Sequence, residues 1–111
     1  MAKIDIVNVK KASKSGVRFN YIGHYNHHYR LPSSPIQNPF VIGVDGDRET
    51  TLQKYRDWLC QKLYIDDSPQ RREIIRLWIE AREKGSLTLG CWCAPKACHG
   101  DVVKELLEQH L

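Results

Sequence analysis

Three cysteines and a histidine lie within nine residues near the C-terminus, at Cys91, Cys93, Cys98 and His99. Three thiolates and one imidazole are an accepted set of tetrahedral ligands, so these four residues are a candidate site for zinc or an iron–sulfur cluster. Their spacing fits less well, because zinc sites usually contain a C-x-x-C turn. In a regular strand the Cα atoms of Cys91 and Cys93 lie about 6.6 Å apart, so a shared metal requires the strand to bend or end at Cys91.

A reactive thiol is the second chemistry that this segment favours. Cys98, His99 and Asp101 supply a thiol, a base and an orienting carboxylate close to the start of a predicted helix. A helix N-terminus and a neighbouring imidazole both lower the pKa of a thiol, which makes it a nucleophile at neutral pH. Because residues adjacent in sequence seldom face one another, the base would otherwise come from the histidines of an earlier segment, which are His24, His27 and His28.

A structural role is the third interpretation of the cysteines. Cysteine behaves as a small hydrophobe and is among the most buried residue types, so Cys91 and Trp92 would also suit a core. Cys60 lies on the apolar side of a predicted helix and is expected to be core. A disulfide between Cys93 and Cys98 is conceivable, although a reducing compartment restricts it to a redox state.

The elements that position these residues follow from the spacing of apolar side chains. "KIDIVNV" alternates apolar and polar residues and predicts a first strand. A turn at Ser15 and Gly16 then leads into a β-rich stretch over residues 17–22. Three prolines exclude a regular helix from "HYNHHYRLPSSPIQNPF". The apolar "FVIG" at residues 40–43 predicts a short buried strand or bend.

Two amphipathic helices are predicted in the middle of the chain. The first begins at Asp45 or Asp47 as N-cap and repeats apolar residues every three or four positions. The second has Ser68 as N-cap, Pro69 at its first position and Gly85 after its end. The inward-facing side chains are expected to be Leu52, Tyr55, Trp58, Leu59 and Leu63 in the first helix, and Ile74, Ile75, Trp78, Ile79 and Arg82 in the second.

The cysteine segment falls between a strand and a helix. "SLTLGCWC" predicts the strand, and "GDVVKELLEQHL" predicts a terminal helix that buries Val102, Val103, Leu106, Leu107 and Leu111. In open α/β sheets such a loop lies at the carboxyl end of the strand, where ligands commonly bind. We therefore expect a small single α/β domain over residues 1–111, Rossmann-like in part, with a short sheet packed with about three helices.

Composition limits the class of protein. A chain of 111 residues has room for one core, and 41% apolar with 27% charged residues is ordinary for a globular protein. No apolar run is long enough to span a bilayer and no secretion signal is visible, so we expect a cytoplasmic protein with reduced thiols and no membrane partner. The net charge of +4 is mild. Two basic stretches are expected to be solvated faces, although nucleic-acid binding through them stays open. The first contains Lys10, Lys11, Lys14 and Arg18, and the second contains Arg71, Arg72 and Arg76.

Four segments together resemble a known family. "YIG" at residues 21–23, "SPIQNPFVIG" at 34–43, "DGDRETTLQKYRDWL" at 45–59 and "LGCWCAPKACHGDVVKELL" at 89–107 look, in that order, like the small bacterial and phage family catalogued as domain of unknown function 4326. The resemblance covers nearly the whole chain and implies no established activity. It implies characteristic positions at Tyr21, Gly23, Asn38, Pro39, Phe40, Arg48, Tyr55, Gly90, Cys91, Trp92, Cys93, Pro95, Cys98, His99, Gly100 and Asp101, whereas His24 stands where an arginine is expected.

The polar members of this set would suit one pocket. Asn38, held extended before a proline, offers its amide to a ligand or locks a turn. Arg48 in the first turn of a helix opposes the helix dipole, so we expect it to have an anionic partner, either Asp45 or a bound phosphate. The candidate ligand-binding residues are Tyr21, Asn38, Arg48, Trp92 and Gly100.

The function that these patterns favour is binding of a nucleotide-like or other anionic ligand at the cysteine segment. Thiol chemistry by Cys98, His99 and Asp101 is an option there, so whether the protein is an enzyme stays open. Two alternatives also stay open. One is a non-catalytic protein-interaction module with a structural Cys/His metal knuckle, whose partner would be a host protein if a phage encodes the chain. The other is a nucleic-acid-binding protein.

Overall fold

A three-stranded sheet and four helices make up the computed structural model, which describes residues 2–110. The strands are β1 (Lys3–Asn8), β2 (Asn20–Tyr21) and β3 (Ser86–Cys91). The helices are α1 (Val9–Ser15), α2 (Arg48–Leu63), α3 (Pro69–Lys84) and α4 (His99–Glu108). The structure confirms the expected small mixed α/β domain, with one helix more than about three.

The sheet is parallel and has β3 at its centre, in the order β1-β3-β2. β1 pairs with β3 along its whole length, whereas β2 pairs through two residues only. The side chains of a strand alternate between faces, and β3 buries Leu87, Leu89 and Cys91 in the main core. Gly90 lies between Leu89 and Cys91, and a Cβ there would collide with the Phe19 ring, so glycine allows that ring to lie against the strand.

The hydrophobic core lies between β3 and the three long helices. It contains Leu87 and Leu89 from the strand, with Tyr55, Leu59, Leu77, Ala81, Val103 and Leu107 from the helices, and these side chains are at most 2% exposed. Ile22 and Ile36 add two fully buried residues from the segment between β2 and α2. The Tyr55 hydroxyl donates a hydrogen bond of 2.5 Å to the buried carbonyl oxygen of Ile36, which joins that segment to the core.

Helix α1 is the element that the sequence patterns did not predict. The expected strand ends at Asn8, one residue early, because the Asn8 side-chain oxygen accepts a hydrogen bond of 3.2 Å from the Lys11 N–H and caps a new helix. Gly16, at φ 72°, ends that helix in the left-handed conformation that glycine adopts without strain. The β-rich stretch that we expected over residues 17–22 contains only the two-residue strand β2.

The apolar "FVIG" segment was predicted to be buried, and that prediction is wrong. Val41 and Ile42 are 54% and 45% exposed. The Asp45 carboxylate accepts a hydrogen bond of 2.8 Å from the Val41 N–H, and Gly43 and Gly46 have φ values of 92° and 133°. The segment is therefore a surface turn that glycines and an aspartate close. Its Val41 and Ile42 side chains point outward, whereas Phe40 is half-buried against the core.

The ends of the long helices agree with the sequence, but the buried face of α3 does not. Asp47 is the N-cap of α2, Ser68 is that of α3, and Gly85 ends α3. Helix α3 buries Leu77 and Ala81, whereas Ile75 and Ile79, which we expected inside, are 43% and 42% exposed. The predicted Ile74 and Trp78 are half-buried and pack against the core.

Helix α4 buries the predicted Val102, Val103, Leu106 and Leu107, and Leu111 lies outside the described residues. Within residues 2–110, no helix is both long enough and apolar enough to cross a membrane.

Tyr55→Phe tests the bond between α2 and the preceding segment. We expect the free energy of unfolding in urea to fall by about 1–2 kcal/mol, because the Ile36 carbonyl stays buried without a partner. Tyr64→Phe is the matched control, since Tyr64 is 89% exposed, and its effect should stay within about 0.5 kcal/mol. A Tyr55→Phe variant as stable as the control would show that the bond contributes nothing.

Candidate functional site at the carboxyl edge of the sheet

The carboxyl ends of the three parallel strands meet at one edge of the sheet. Asn8 at the end of β1 pairs with Cys91 at the end of β3, and Tyr21 at the end of β2 pairs with Gly90. This is the edge at which α/β sheets commonly bind ligands. The segment between β3 and α4, residues 92–98, follows directly and is called here the cysteine loop.

Two side chains from other elements hold the cysteine loop. The Asn8 Nδ2 donates hydrogen bonds of 3.0 and 3.2 Å to the carbonyl oxygens of Trp92 and Ala94. The Arg48 Nη1 donates one of 2.7 Å to the carbonyl oxygen of Ala97. Arg48 thus has a partner, but this partner is a backbone carbonyl rather than the Asp45 carboxylate that we considered.

The sequence patterns did not single out Asn8 as a site residue. An asparagine followed eight residues later by Gly16 is a helix start and stop signal, and the prediction of a strand through residue 9 concealed it.

Cys91 and Cys98 face each other in the core. Their Sγ atoms are 2.9 Å apart, and the two residues are 1% and 3% exposed. The hydrogen bond between the two thiols lowers the pKa of Cys91 and raises that of Cys98, and burial also raises the pKa of Cys98. The sequence patterns favoured Cys98 as nucleophile.

The half-buried His99 has partners other than the two sulfurs. Its Nε2 is 2.6 Å from the carbonyl oxygen of Ile22, and its ring meets the Tyr55 ring edge to face at a centroid distance of 5.2 Å. A carbonyl oxygen only accepts, so Nε2 carries the proton. Burial lowers the pKa of His99, and the imidazole is therefore neutral near neutral pH.

Asp101 caps helix α4 instead of orienting His99. Its carboxylate accepts a hydrogen bond of 2.9 Å from the Cys98 N–H. The three side chains therefore have different partners. The Cys98 thiol contacts Cys91, the His99 imidazole bonds to the carbonyl of Ile22, and the Asp101 carboxylate bonds to the backbone of Cys98. The arrangement does not contain the chain of thiol, base and carboxylate that nucleophilic catalysis uses, and catalysis by these residues stays a prediction.

The four predicted metal ligands do not converge in this arrangement. Cys91 and Cys98 are in contact, whereas the His99 imidazole is bonded to a backbone carbonyl. Within the part of the chain that the structure describes, no group of three or more His, Cys, Asp and Glu side chains is placed so that it could hold a metal ion. The side chains present do not fit a zinc or iron–sulfur centre, and such a centre stays a prediction.

Trp92 is the centre of an aromatic cluster at this edge, formed with Tyr21 and Tyr29. Its indole N–H donates a hydrogen bond of 2.8 Å to the Tyr21 hydroxyl, which donates one of 2.5 Å to the carbonyl oxygen of His24. The Tyr29 ring meets the Trp92 ring at a steep angle, with centroids 5.2 Å apart. Trp92 is 38% exposed, so part of its ring is open to solvent.

Asn38 locks a turn, which is one of its two predicted roles. Its side-chain oxygen accepts a hydrogen bond of 2.9 Å from the Phe40 N–H. The carbonyl oxygen of Asn38 lies 2.8 Å from Nε2 of His24, the residue that stands where the resemblance leads us to expect an arginine. Gly100 is buried, and a Cβ there would be 3.2 Å from both the Cys98 Sγ and the Ile22 Cδ1.

A turn that contains one arginine and two histidines carries Tyr29. The backbone of Asn26 and Leu31 forms an isolated antiparallel bridge that closes this turn. His27, His28 and Arg30 lie within it, and together with Tyr25 they line an open depression of about 500 Å³. The ring of His28 packs against that of Tyr29, with ring centroids 5.0 Å apart. Residues 26–31 are called here the cationic turn.

The model of the family described as "Domain of unknown function (DUF4326)" matches residues 6–109. The chain belongs to this family. The match includes the cysteine loop, the aromatic cluster and both long central helices, so it confirms the resemblance seen in the sequence. No curated protein and no solved structure matches the chain.

Asn8 variants separate the two roles of this side chain. Asn8→Asp keeps the oxygen that caps α1 but loses the N–H groups that hold the cysteine loop, whereas Asn8→Ala loses both. We expect both variants to increase amide hydrogen exchange in residues 92–98, and Asn8→Ala to lose about 1–2 kcal/mol of stability from the cap in addition to the lost bonds to the loop. An Asn8→Asp variant with wild-type exchange in the loop would refute the proposed anchoring.

His99→Gln tests the burial of a neutral imidazole. The folded-state pKa of His99 is below the ordinary value of 6.5, so below that pH the unfolded chain binds a proton more readily than the folded chain. Wild-type stability should therefore fall as the pH drops through about 6.5, and the fall should be shallower in His99→Gln. The exposed His110 provides the control His110→Gln, which should keep the wild-type slope. Equal slopes in all three proteins would contradict the burial argument.

Proposed function

We propose that this protein binds a nucleotide-like or nucleic-acid-derived anionic ligand at the carboxyl edge of the sheet, against the open part of the Trp92 ring. One observation carries the proposal. A tryptophan that is 38% exposed follows the last residue of the central strand, and the ring of Tyr29 from the cationic turn packs against it. Exposed aromatic rings at such an edge suit the stacking of a planar base.

The charges that would bind the anion come from the cationic turn. Tyr29 packs on Trp92, and its two neighbours in sequence are His28 and Arg30. A guanidinium and imidazoles on the turn that carries Tyr29 match a ligand that combines a base with a phosphate. The start of α4 is less suitable, because the Asp101 carboxylate already accepts the Cys98 N–H there.

The other candidate binding residues have supporting roles in this proposal. Tyr21 orients the Trp92 ring through its hydroxyl, and Arg48 holds the far end of the cysteine loop. Asn38 locks the turn that carries the partner carbonyl of His24, and Gly100 leaves room for Cys98. The proposal assigns no catalytic step to Cys98, His99 or Asp101. We also infer a cytosolic setting, which is the compartment in which four unpaired cysteines stay reduced.

Titration with adenosine monophosphate, adenosine triphosphate and a short single-stranded oligonucleotide tests the proposal. We expect calorimetric binding of at least one probe, with a shift of the Trp92 indole N–H signal in NMR spectra. Trp92→Leu should weaken binding about 5- to 100-fold, because the stacking surface is lost, whereas Trp92→Phe should retain most of the affinity. Arg30→Ala should also weaken binding. Arg18→Ala is the control, since Arg18 is exposed and lines a depression with Lys84 and Ser86 at the opposite edge of the sheet.

The outcomes also separate the alternatives. Oligonucleotide affinity that falls steeply with salt, without binding of the mononucleotides, would favour a nucleic-acid-binding protein. Absence of binding by folded protein would refute the proposal and favour the protein-interaction module. Binding that Trp92→Leu leaves unchanged would place the ligand elsewhere.

A further inference from the structure

Cys91 and Cys98 are free thiols whose sulfurs are already in contact. The Sγ atoms are 2.9 Å apart, and a hydrogen bond between the two thiols connects them. A disulfide has an S–S distance of about 2.05 Å, so the sulfurs would have to approach by less than about 1 Å to form a bond. Of the four cysteines, Cys60 and Cys93 are half-buried and lie outside this contact.

Both backbones of the pair are anchored, so the contact does not depend on a mobile loop. Cys91 is the last residue of β3 and pairs with Asn8 of β1. Cys98 is the N-cap of α4, and its N–H is held by the Asp101 carboxylate. Gly100 leaves space beside the Cys98 sulfur, since a Cβ at that position would be 3.2 Å from Sγ. The two sulfurs are thus held face to face by a strand end and a helix start.

We propose that Cys91 and Cys98 form a redox-active dithiol, which a small peroxide oxidises to an intramolecular disulfide. This inference is independent of the proposed ligand. The pair is 1% and 3% exposed, so a small oxidant such as hydrogen peroxide reaches it more readily than a bulky organic disulfide. Either thiol can be the donor in the hydrogen bond that joins them, so either sulfur can attack first. When Cys91 attacks, Cys98 is the resolving thiol.

The reaction proceeds in two balanced steps. The Cys91 sulfur attacks one oxygen of hydrogen peroxide, the O–O bond breaks, and the departing hydroxide takes the thiol proton as water, which leaves a sulfenic acid on Cys91. The Cys98 sulfur then attacks the Cys91 sulfur, the S–O bond breaks, and hydroxide takes the second thiol proton as water. Two electrons pass from the sulfurs to the peroxide. A dithiol reductant returns the pair to thiols by exchange.

Peptide mapping of the folded protein tests this proposal. The full chain is reduced, desalted and treated with one equivalent of hydrogen peroxide. It is then unfolded in the presence of N-ethylmaleimide, which alkylates the remaining free thiols, and digested with trypsin. Cleavage after Lys96 separates Cys98 from Cys91 and Cys93. We expect a cross-linked species that joins peptides 85–96 and 97–104, lighter than the sum of the two by two hydrogen atoms and lost after treatment with dithiothreitol.

Single substitutions assign the bond and keep the test independent of one variant's folding. Cys93→Ser and Cys60→Ser should keep the cross-link, and Cys98→Ser should stop at a sulfenic acid on Cys91 that dimedone traps. Folding of each variant is checked by circular dichroism. A cross-link that disappears in Cys93→Ser would overturn the proposal. So would wild-type protein in which Cys91 and Cys98 both stay alkylatable, or reach sulfinic acid without a cross-link.

Discussion

The side-chain amide of Asn8 is the contact on which the carboxyl edge of the sheet depends. Its oxygen caps α1, and its nitrogen donates to two carbonyl oxygens of the cysteine loop. One group therefore ends the first strand, starts the first helix and fixes the segment after the central strand. It reaches that segment because Asn8 and Cys91 are paired across neighbouring strands, which are only about 4.8 Å apart. The positions of Trp92 and Cys91 follow from this pairing.

The polar groups of the cysteine loop are satisfied from within the protein, and this limits what they offer a ligand. Arg48 binds the carbonyl of Ala97, and Asp101 binds the N–H of Cys98. The two groups expected to hold an anion or assist a thiol are thus occupied in holding the loop. Buried backbone groups without a partner would cost stability, which explains why these side chains are used in this way. The Trp92 ring and the cationic turn, by contrast, are exposed at this edge.

Local signals in the sequence predicted the long helices, but not which face of α3 is buried. Asp47, Ser68, Pro69 and Gly85 act within a few residues of their own position, and all four mark helix ends as expected. The contact of α3 with the sheet is not local. Leu77 and Ala81 are buried because they fit against β3, whereas the apolar Ile75 and Ile79 stay exposed. The apolar "FVIG" turn was misassigned for a related reason, since hydrophobicity alone does not show whether a glycine turn projects outward.

The sequence alone determined the class of fold, the placement of the cysteine segment between a strand and a helix, and membership of the family, because these depend on local periodicity, caps and a continuous pattern of residues. The tertiary structure decided which side chains meet. It paired Cys91 with Cys98 rather than Cys93 with Cys98, directed His99 to the carbonyl of Ile22, and placed Tyr29 on Trp92. Such contacts join residues distant in the chain or depend on side-chain direction at a loop, and neither spacing nor residue type specifies them.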